Sequence, residues 1–229
     1  MDRPKTFQQE SISVDFMVRQ LRETVGVEVV SVNGEVDASE RTVTESNLHR
    51  PGLALAGYVE LFTHQRVQIL GNTETRYLHH LEESEQREAF RNLTQFSVPC
   101  IVVTDDNDLK HTLVDMATEE NIPVYRTPLP TVQFMSSLRN FLADQFAQQR
   151  AVHGSLVDVY GIGLLLIGKP GIGKSEVALD LVERGHRLVA DDVVIATQRD
   201  EAILMGAGTD LVQHFMEVRG LGLVDIRSM

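Results

Sequence analysis

Leu164-Leu165-Leu166-Ile167-Gly168-Lys169-Pro170-Gly171-Ile172-Gly173-Lys174-Ser175 contains two glycines separated by four residues and followed directly by Lys and Ser. That spacing is the pattern of a phosphate-binding loop. The four apolar residues before Gly168 read as a strand, and Val177, Ala178, Leu181 and Val182 recur at helical spacing after Ser175. Strand, glycine-rich loop and helix in that order predict an α/β domain that holds phosphate at a helix start. Glycines let successive backbone N–H groups turn inward upon phosphate oxygens, and the helix adds its positive end. The expected cradle is Gly168, Lys169, Pro170, Gly171, Ile172, Gly173, Lys174 and Ser175. Lys174 is placed to neutralise β and γ phosphates, and the Ser175 hydroxyl to ligate Mg²⁺. A glycine turn that merely capped a helix would not need Lys-Ser at that offset.

Working outward, Val152 to Tyr160 reads as a strand that turns at Gly161-Ile162-Gly163 into the loop's own strand, a hairpin and not a crossover. Downstream, Arg187 to Ile195 is an apolar extended segment interrupted by the adjacent carboxylates Asp191 and Asp192. One of the pair can serve as a base, or the two are a Mg²⁺-positioning acid and its neighbour at a bend. Either way they are expected at the active site.

The first half alternates helical and extended signals. Val14, Met17, Val18 and Leu21 predict a helix, the cluster Val27, Val29 and Val30 a strand, and Val67 to Leu70 another strand. Glu85 to Leu93 reads as helix, Pro99 to Thr104 as buried strand, Leu109 to Ala117 as helix and Pro123 to Tyr125 as short strand. This rhythm predicts an amino-terminal α/β domain with a mainly parallel sheet over residues 1–130. Asp105-Asp106-Asn107-Asp108 is read as an acidic N-cap of the helix that follows, although α/β sheets also place ligands at such strand ends. Phe134, Leu138, Phe141 and Leu142 recur at helical spacing within residues 131–150, read as a connecting helix or linker. The catalytic domain is then expected over 151–229.

The 229 residues carry 21 Lys and Arg against 33 Asp and Glu, a formal charge of -12, with 42% apolar residues. Such a balance disfavours non-specific nucleic-acid and membrane-surface binding, so a polyanionic ligand must be held locally. The longest run free of Asp, Glu, Lys and Arg, Asn92 to Thr104, is shorter than the ~20 apolar residues of a membrane-spanning helix. The amino terminus lacks the apolar stretch of a signal peptide, and a cytoplasmic protein is the default. The single Cys100 cannot form an internal disulfide and suits a buried strand. The eight histidines lack the spacing of a zinc site.

Three spaced segments, Gly168 to Glu176, Leu188-Val189-Ala190-Asp191-Asp192 and Glu217-Val218-Arg219-Gly220-Leu221-Gly222-Leu223-Val224-Asp225, together resemble the bifunctional HPr kinase/phosphorylase family of bacteria. His153-Gly154-Ser155-Leu156 and Gly161-Ile162-Gly163 fit the same family, and the first half is similar to its amino-terminal domain at Gly71-Asn72 and Pro99 to Thr104. The resemblance implies a Mg²⁺- and ATP-dependent enzyme that phosphorylates a serine of HPr, the phosphocarrier protein of the sugar phosphotransferase system. It also implies removal of that phosphate by phosphorolysis, with inorganic phosphate consumed and pyrophosphate formed. It implies a phosphate-loop kinase domain sharing its nucleotide core with phosphoenolpyruvate carboxykinase, and a homohexamer. Carried onto this sequence, Lys174 and the loop hold the nucleotide, Ser175 and Glu217 bind Mg²⁺, Asp192 is the base, and His153 is an active-site residue. Family members continue past the position of Met229 into a flexible loop, a catalytic arginine and further helices, which implies a catalytic domain cut short. The rival readings are a nucleotide- or phosphate-sensing regulator without turnover and a small-molecule phosphate-loop kinase.

Overall fold

A computed structural model describes residues 6–200, 203–208, 215–218 and 222–225, the last two segments by their backbone alone. In chain order the elements are β1 (Thr6–Phe7), β2 (Ile12–Ser13), α1 (Val14–Glu23), β3 (Val30–Ser31), β4 (Thr42–Val43), β5 (Leu48–His49), α2 (Gly52–Leu55) and β6 (Val67–Leu70). Next come α3 (Asn72–His80), α4 (Glu83–Thr94), β7 (Ile101–Val103), α5 (His111–Glu119), β8 (Val124–Arg126) and α6 (Thr131–Gln145). The second half holds β9 (Gln149–His153), β10 (Ser155–Val159), β11 (Ile162–Leu166), α7 (Lys174–Glu183), β12 (Arg187–Ala190), β13 (Val193–Asp200), β14 (Ile203–Ala207), β15 (Phe215–Val218) and β16 (Gly222–Asp225).

The chain divides into two units, Gln9–Phe146 and the remainder. In the first, β3-β8-β7-β6-β5 form one sheet, parallel throughout except for the antiparallel edge pair of β3 with β8. Successive residues of its strands point to opposite faces. Ile69, Cys100, Val102 and Tyr125 pack with Met17 and Leu21 of α1 and Phe134 and Leu138 of α6, whereas Leu70, Ile101, Val103 and Val124 pack with Leu78, Phe90, Leu93 and Leu113 of α3, α4 and α5. Both sheet faces are thus covered, which explains why the central strand β7 reads as a continuous apolar run.

Three expectations change here. The helix over 131–150 is no connector: Phe134, Leu138, Phe141 and Leu142 belong to the first unit's core, and the division falls between Phe146 and Ala147. Of the valine cluster, only Val30 enters a two-residue strand, while Val27 and Val29 are buried without one. The Asp105 run does not cap α5, whose N-cap is Lys110 with no side-chain bond. Asp105 and Asp106 instead adopt left-handed φ of 59° and 55°. The Asp105 carboxylate accepts from the Thr131 backbone N–H at 3.2 Å and from the Thr131 hydroxyl at 2.5 Å, so it caps α6. That hydroxyl bond is the main reason its carboxyl sits below the usual range. Asp106 and Asp108 pair with Arg126.

Burial pushes the Cys100 thiol up to about 12. Held neutral, it should resist thiol-disulfide reagents at about pH 8 until the unit unfolds, because only the thiolate reacts. The raised value means that the stabilisation is complete below the ordinary thiol range and is lost as pH rises through it toward 12. Labelling in native buffer at the rate seen in denaturant would overturn this.

In the second unit every described strand pair is antiparallel, in sheets β1-β9-β13-β14, β11-β10-β12 and β15-β16. The hairpin of β10 and β11 turns on two residues, Tyr160 (φ 54°) and Gly161 (φ 85°). Positive φ at both positions is the mark of the turn that matches strand twist. Side chains along β10 alternate: Leu156 meets Ala190 and Val194, while Val157 meets Ala178 of α7. No helix among the described residues is long and apolar enough to cross a membrane.

Candidate active site

β11 delivers the chain to the glycine-rich loop, and α7 begins at Lys174. Gly171 and Gly173 take left-handed φ of 82° and 97°, where a side chain is strained, and a Cβ on Gly173 would lie 3.1 Å from Glu176 Oε2. The turn closes through the Ile172 N–H donating to Lys169 O at 3.3 Å. Lys174 arches back so that Nζ donates to Gly168 O and Lys169 O, each at 3.3 Å. A fixed cation therefore stands over a helix N-terminus, a combination that attracts phosphate.

A cavity of about 570 Å³ opens at this loop, lined by His153, Gly154, Gly168, Pro170, Gly171, Gly173, Lys174, Ser175, Glu176 and Asp192. It gathers His153, Lys174, Ser175 and Asp192 from three stretches of sequence into one place. Lys169 and Ile172 are part of the loop but do not line this cavity; Ile172 borders an adjacent apolar recess with Leu165 and Val177. Glu217 lies on β15, opposite Leu223 of β16, and β15 contacts α7; the Glu217 side chain lies outside the described residues, as does the Gly220-Leu221 turn.

The two aspartates do not lie inside one extended segment; they sit at a bend, the second of the two arrangements expected for them. β12 stops at Ala190, Asp191 and Asp192 make the corner, and β13 continues in a different sheet. Asp192 takes a left-handed φ of 63°, and its carbonyl accepts from the Gly154 N–H at 3.1 Å. His153 Nδ1 lies 3.3 Å from the same oxygen, a hydrogen bond when that nitrogen carries the proton. The corner turns the two carboxylates to different places. Asp192 is exposed on the cavity wall. Asp191 points under the loop, where its Oδ1 accepts from the Ser155 hydroxyl at 2.5 Å and lies 3.4 Å from the Ser175 hydroxyl. Its other oxygen, Oδ2, is buried without a hydrogen-bond partner.

Gly154 explains why Val152 to Tyr160 is two strands and not one. A Cβ there would meet Leu166 O at 2.4 Å, so only glycine lets the chain pass from β9 into β10 against the end of β11. Gly154→Ala should cost about 1–3 kcal/mol as the backbone shifts; a denaturation midpoint equal to wild type would show that the approach is not needed. Ser155 was not among the residues expected at the site, and Asp191 was expected there only as one of a pair, as a base or as a Mg²⁺-positioning acid. The available signal was a hydroxyl entering the apolar run Ser155-Leu156-Val157, since a buried hydroxyl must find an acceptor.

The profile described as HPr Serine kinase N terminus matches residues 16–142, and that of the HPr Serine kinase C-terminal domain matches 144–229. The sequence is 50% identical over 227 residues to the HPr kinase/phosphorylase of Chloroherpeton thalassium, covering 99% of this chain and 66% of that protein. This chain belongs to the HPr kinase/phosphorylase family. Within that family it is also 49% identical over 225 residues to the protein of Prosthecochloris aestuarii, covering 98% of this chain and 66% of that protein. The chain thus spans about two thirds of the length of these HPr kinase/phosphorylase relatives. A solved HPr(Ser) kinase/phosphatase from Coxiella burnetii is 32% identical over 34% of this chain and 47% of that one, with a TM-score of 0.32.

The donors around Ser175 in this HPr kinase/phosphorylase family member suit a hard divalent cation that also binds phosphate. They are a hydroxyl at the helix start and a carboxylate beside it with one buried oxygen lacking a hydrogen-bond donor. Oxygen ligands of this kind, with phosphate completing the set, are what Mg²⁺ takes.

Proposed function

We propose that this chain carries the nucleotide site of a Mg²⁺- and ATP-dependent protein serine kinase that phosphorylates HPr and also removes the phosphate by phosphorolysis. The observation that carries the reading is the convergence of His153, Lys174, Ser175 and Asp192 on one cavity at the phosphate loop, in a chain of this family. The loop and Lys174 hold the β and γ phosphates of ATP. Ser175, with Glu217 by resemblance, holds Mg²⁺, which when bound offsets phosphate charge that would repel a nucleophile. Asp192 accepts the proton of the HPr serine hydroxyl as its oxygen bonds to the γ phosphorus and the bond to the leaving ADP oxygen breaks. In the reverse chemistry inorganic phosphate attacks the phosphoserine phosphorus. The serine oxygen leaves with the proton held on Asp192, and pyrophosphate forms. His153 steadies the corner that presents Asp192.

The nucleotide core related to phosphoenolpyruvate carboxykinase, the cytoplasmic location and the homohexamer expected from the sequence belong to the same reading. Incubating purified enzyme with labelled ATP and HPr should label wild-type HPr and leave its serine-to-alanine variant unlabelled. Labelling of neither, or of both alike, would end this reading, and transfer to a metabolite in place of HPr would favour a small-molecule kinase.

A further inference from the structure

Ser155 is 1% exposed and is the first residue of β10, directly after the glycine that lets the chain cross from one sheet to the other. Its hydroxyl donates to Asp191 Oδ1 at 2.5 Å, a short charge-assisted bond. The same oxygen lies 3.4 Å from the Ser175 hydroxyl. Ser155 therefore does not reach the cavity itself but fixes a carboxylate that does touch the cation-binding serine. A half-buried carboxylate with one oxygen anchored and the other unpartnered is incomplete: Oδ2 has lost water and gained no donor. The oxygen that Ser155 holds, Oδ1, is the one beside Ser175, so a cation bound there would meet a carboxylate already turned toward it.

We propose that Ser155 is the positioning residue of the cation site: it locks Asp191 in the orientation that lets Asp191 and Ser175 together hold Mg²⁺ against bound nucleotide. The inference rests on the reading of the loop as a Mg²⁺-nucleotide site and adds to it a residue that touches neither nucleotide nor metal. Groups that orient metal ligands are worth about 10–100-fold in metal affinity. Removing the Ser155 hydroxyl frees the Asp191 carboxylate to rotate toward water, and metal affinity falls while the loop and Lys174 remain.

The test is calorimetric titration of ATP into the 229-residue chain without metal and at a series of Mg²⁺ concentrations. For Ser155→Ala the Mg²⁺ concentration giving half of the metal's effect on ATP affinity should rise about 10–100-fold, with metal-free ATP affinity unchanged. In an Asp191→Ala background the same substitution should change nothing further, because its effect runs through Asp191. Thermal melting checks that the variants fold; should Ser155→Ala fail, the near-isosteric Ser155→Cys, a weaker donor, should raise the Mg²⁺ midpoint in the same direction. An unchanged midpoint in either folded variant overturns the proposal, as does an equal loss of affinity with and without metal. Wild-type protein showing no Mg²⁺ effect on ATP binding overturns both this and the nucleotide-site reading. Intact Mg²⁺-dependent binding without transfer to HPr sinks only the kinase reading.

Discussion

Lys174→Ala is expected to lower both ATP-dependent phosphorylation of HPr and its phosphorolytic reversal by about 10²–10³-fold, the usual cost of removing one fixed charge from a site of charge development. The two losses should match because one loop holds the transferred phosphorus in both directions. Lys174 makes no ion pair among the described residues; its ammonium rests on two loop carbonyls at 3.3 Å. The ammonium is therefore available to phosphate, and its removal should leave thermal stability within about 0.5 kcal/mol of wild type. Initial rates in each direction, with HPr and with phosphorylated HPr, decide the matter. Phosphorolysis surviving at wild-type rate while kinase activity is lost would mean that phosphate for the reverse reaction is held elsewhere, and the single-site account would fall.

How much of this was legible in the sequence follows from the range of the forces involved. The loop was readable because its chemistry is local: the left-handed φ of Gly171 and Gly173 and the helix start at Lys174 need particular residues at fixed offsets. The first unit's central strands were readable because both faces of its sheet are covered, which leaves Ile101–Val103 wholly apolar and Val67–Leu70 apolar but for Gln68. What failed depended on distant partners. The acidic run after β7 was read as the cap of the helix that follows it, but only Asp105 caps a helix, and that helix is α6, since Thr131 comes back beside Asp105 through the fold. The helix over 131–150 has the same pattern whether it links two domains or packs on one sheet, and only the neighbours Ile69 and Val102 distinguish the two. A bend at Asp191 and Asp192 was one of the readings their sequence allowed, but the different directions of the two carboxylates come from a corner at Asp192 that Gly154 and His153 hold from another strand.

That corner determines how the base should be tested. Asp192→Asn is expected to reduce transfer in both directions by about 10²–10⁴-fold, the contribution of a positioned acid or base, while ATP binding is retained. Asparagine is the right replacement because it tolerates the left-handed φ of 63° at this position. Alanine there would add a backbone cost of about 1 kcal/mol and blur the result. The main-chain carbonyl that accepts from Gly154 at 3.1 Å is untouched by the change, so the corner and the Asp191 carboxylate behind it stay in place. What the amide cannot do is take the serine proton in one direction or return it in the other, so both losses are expected together. A variant that binds ATP as wild type does, melts as wild type does and transfers no phosphate either way is the expected result. If Asp192→Asn kept its activity and Asp191→Asn lost it without losing Mg²⁺-dependent binding, the base would be the carboxylate beneath the loop, and the exposed aspartate would be left with the corner alone.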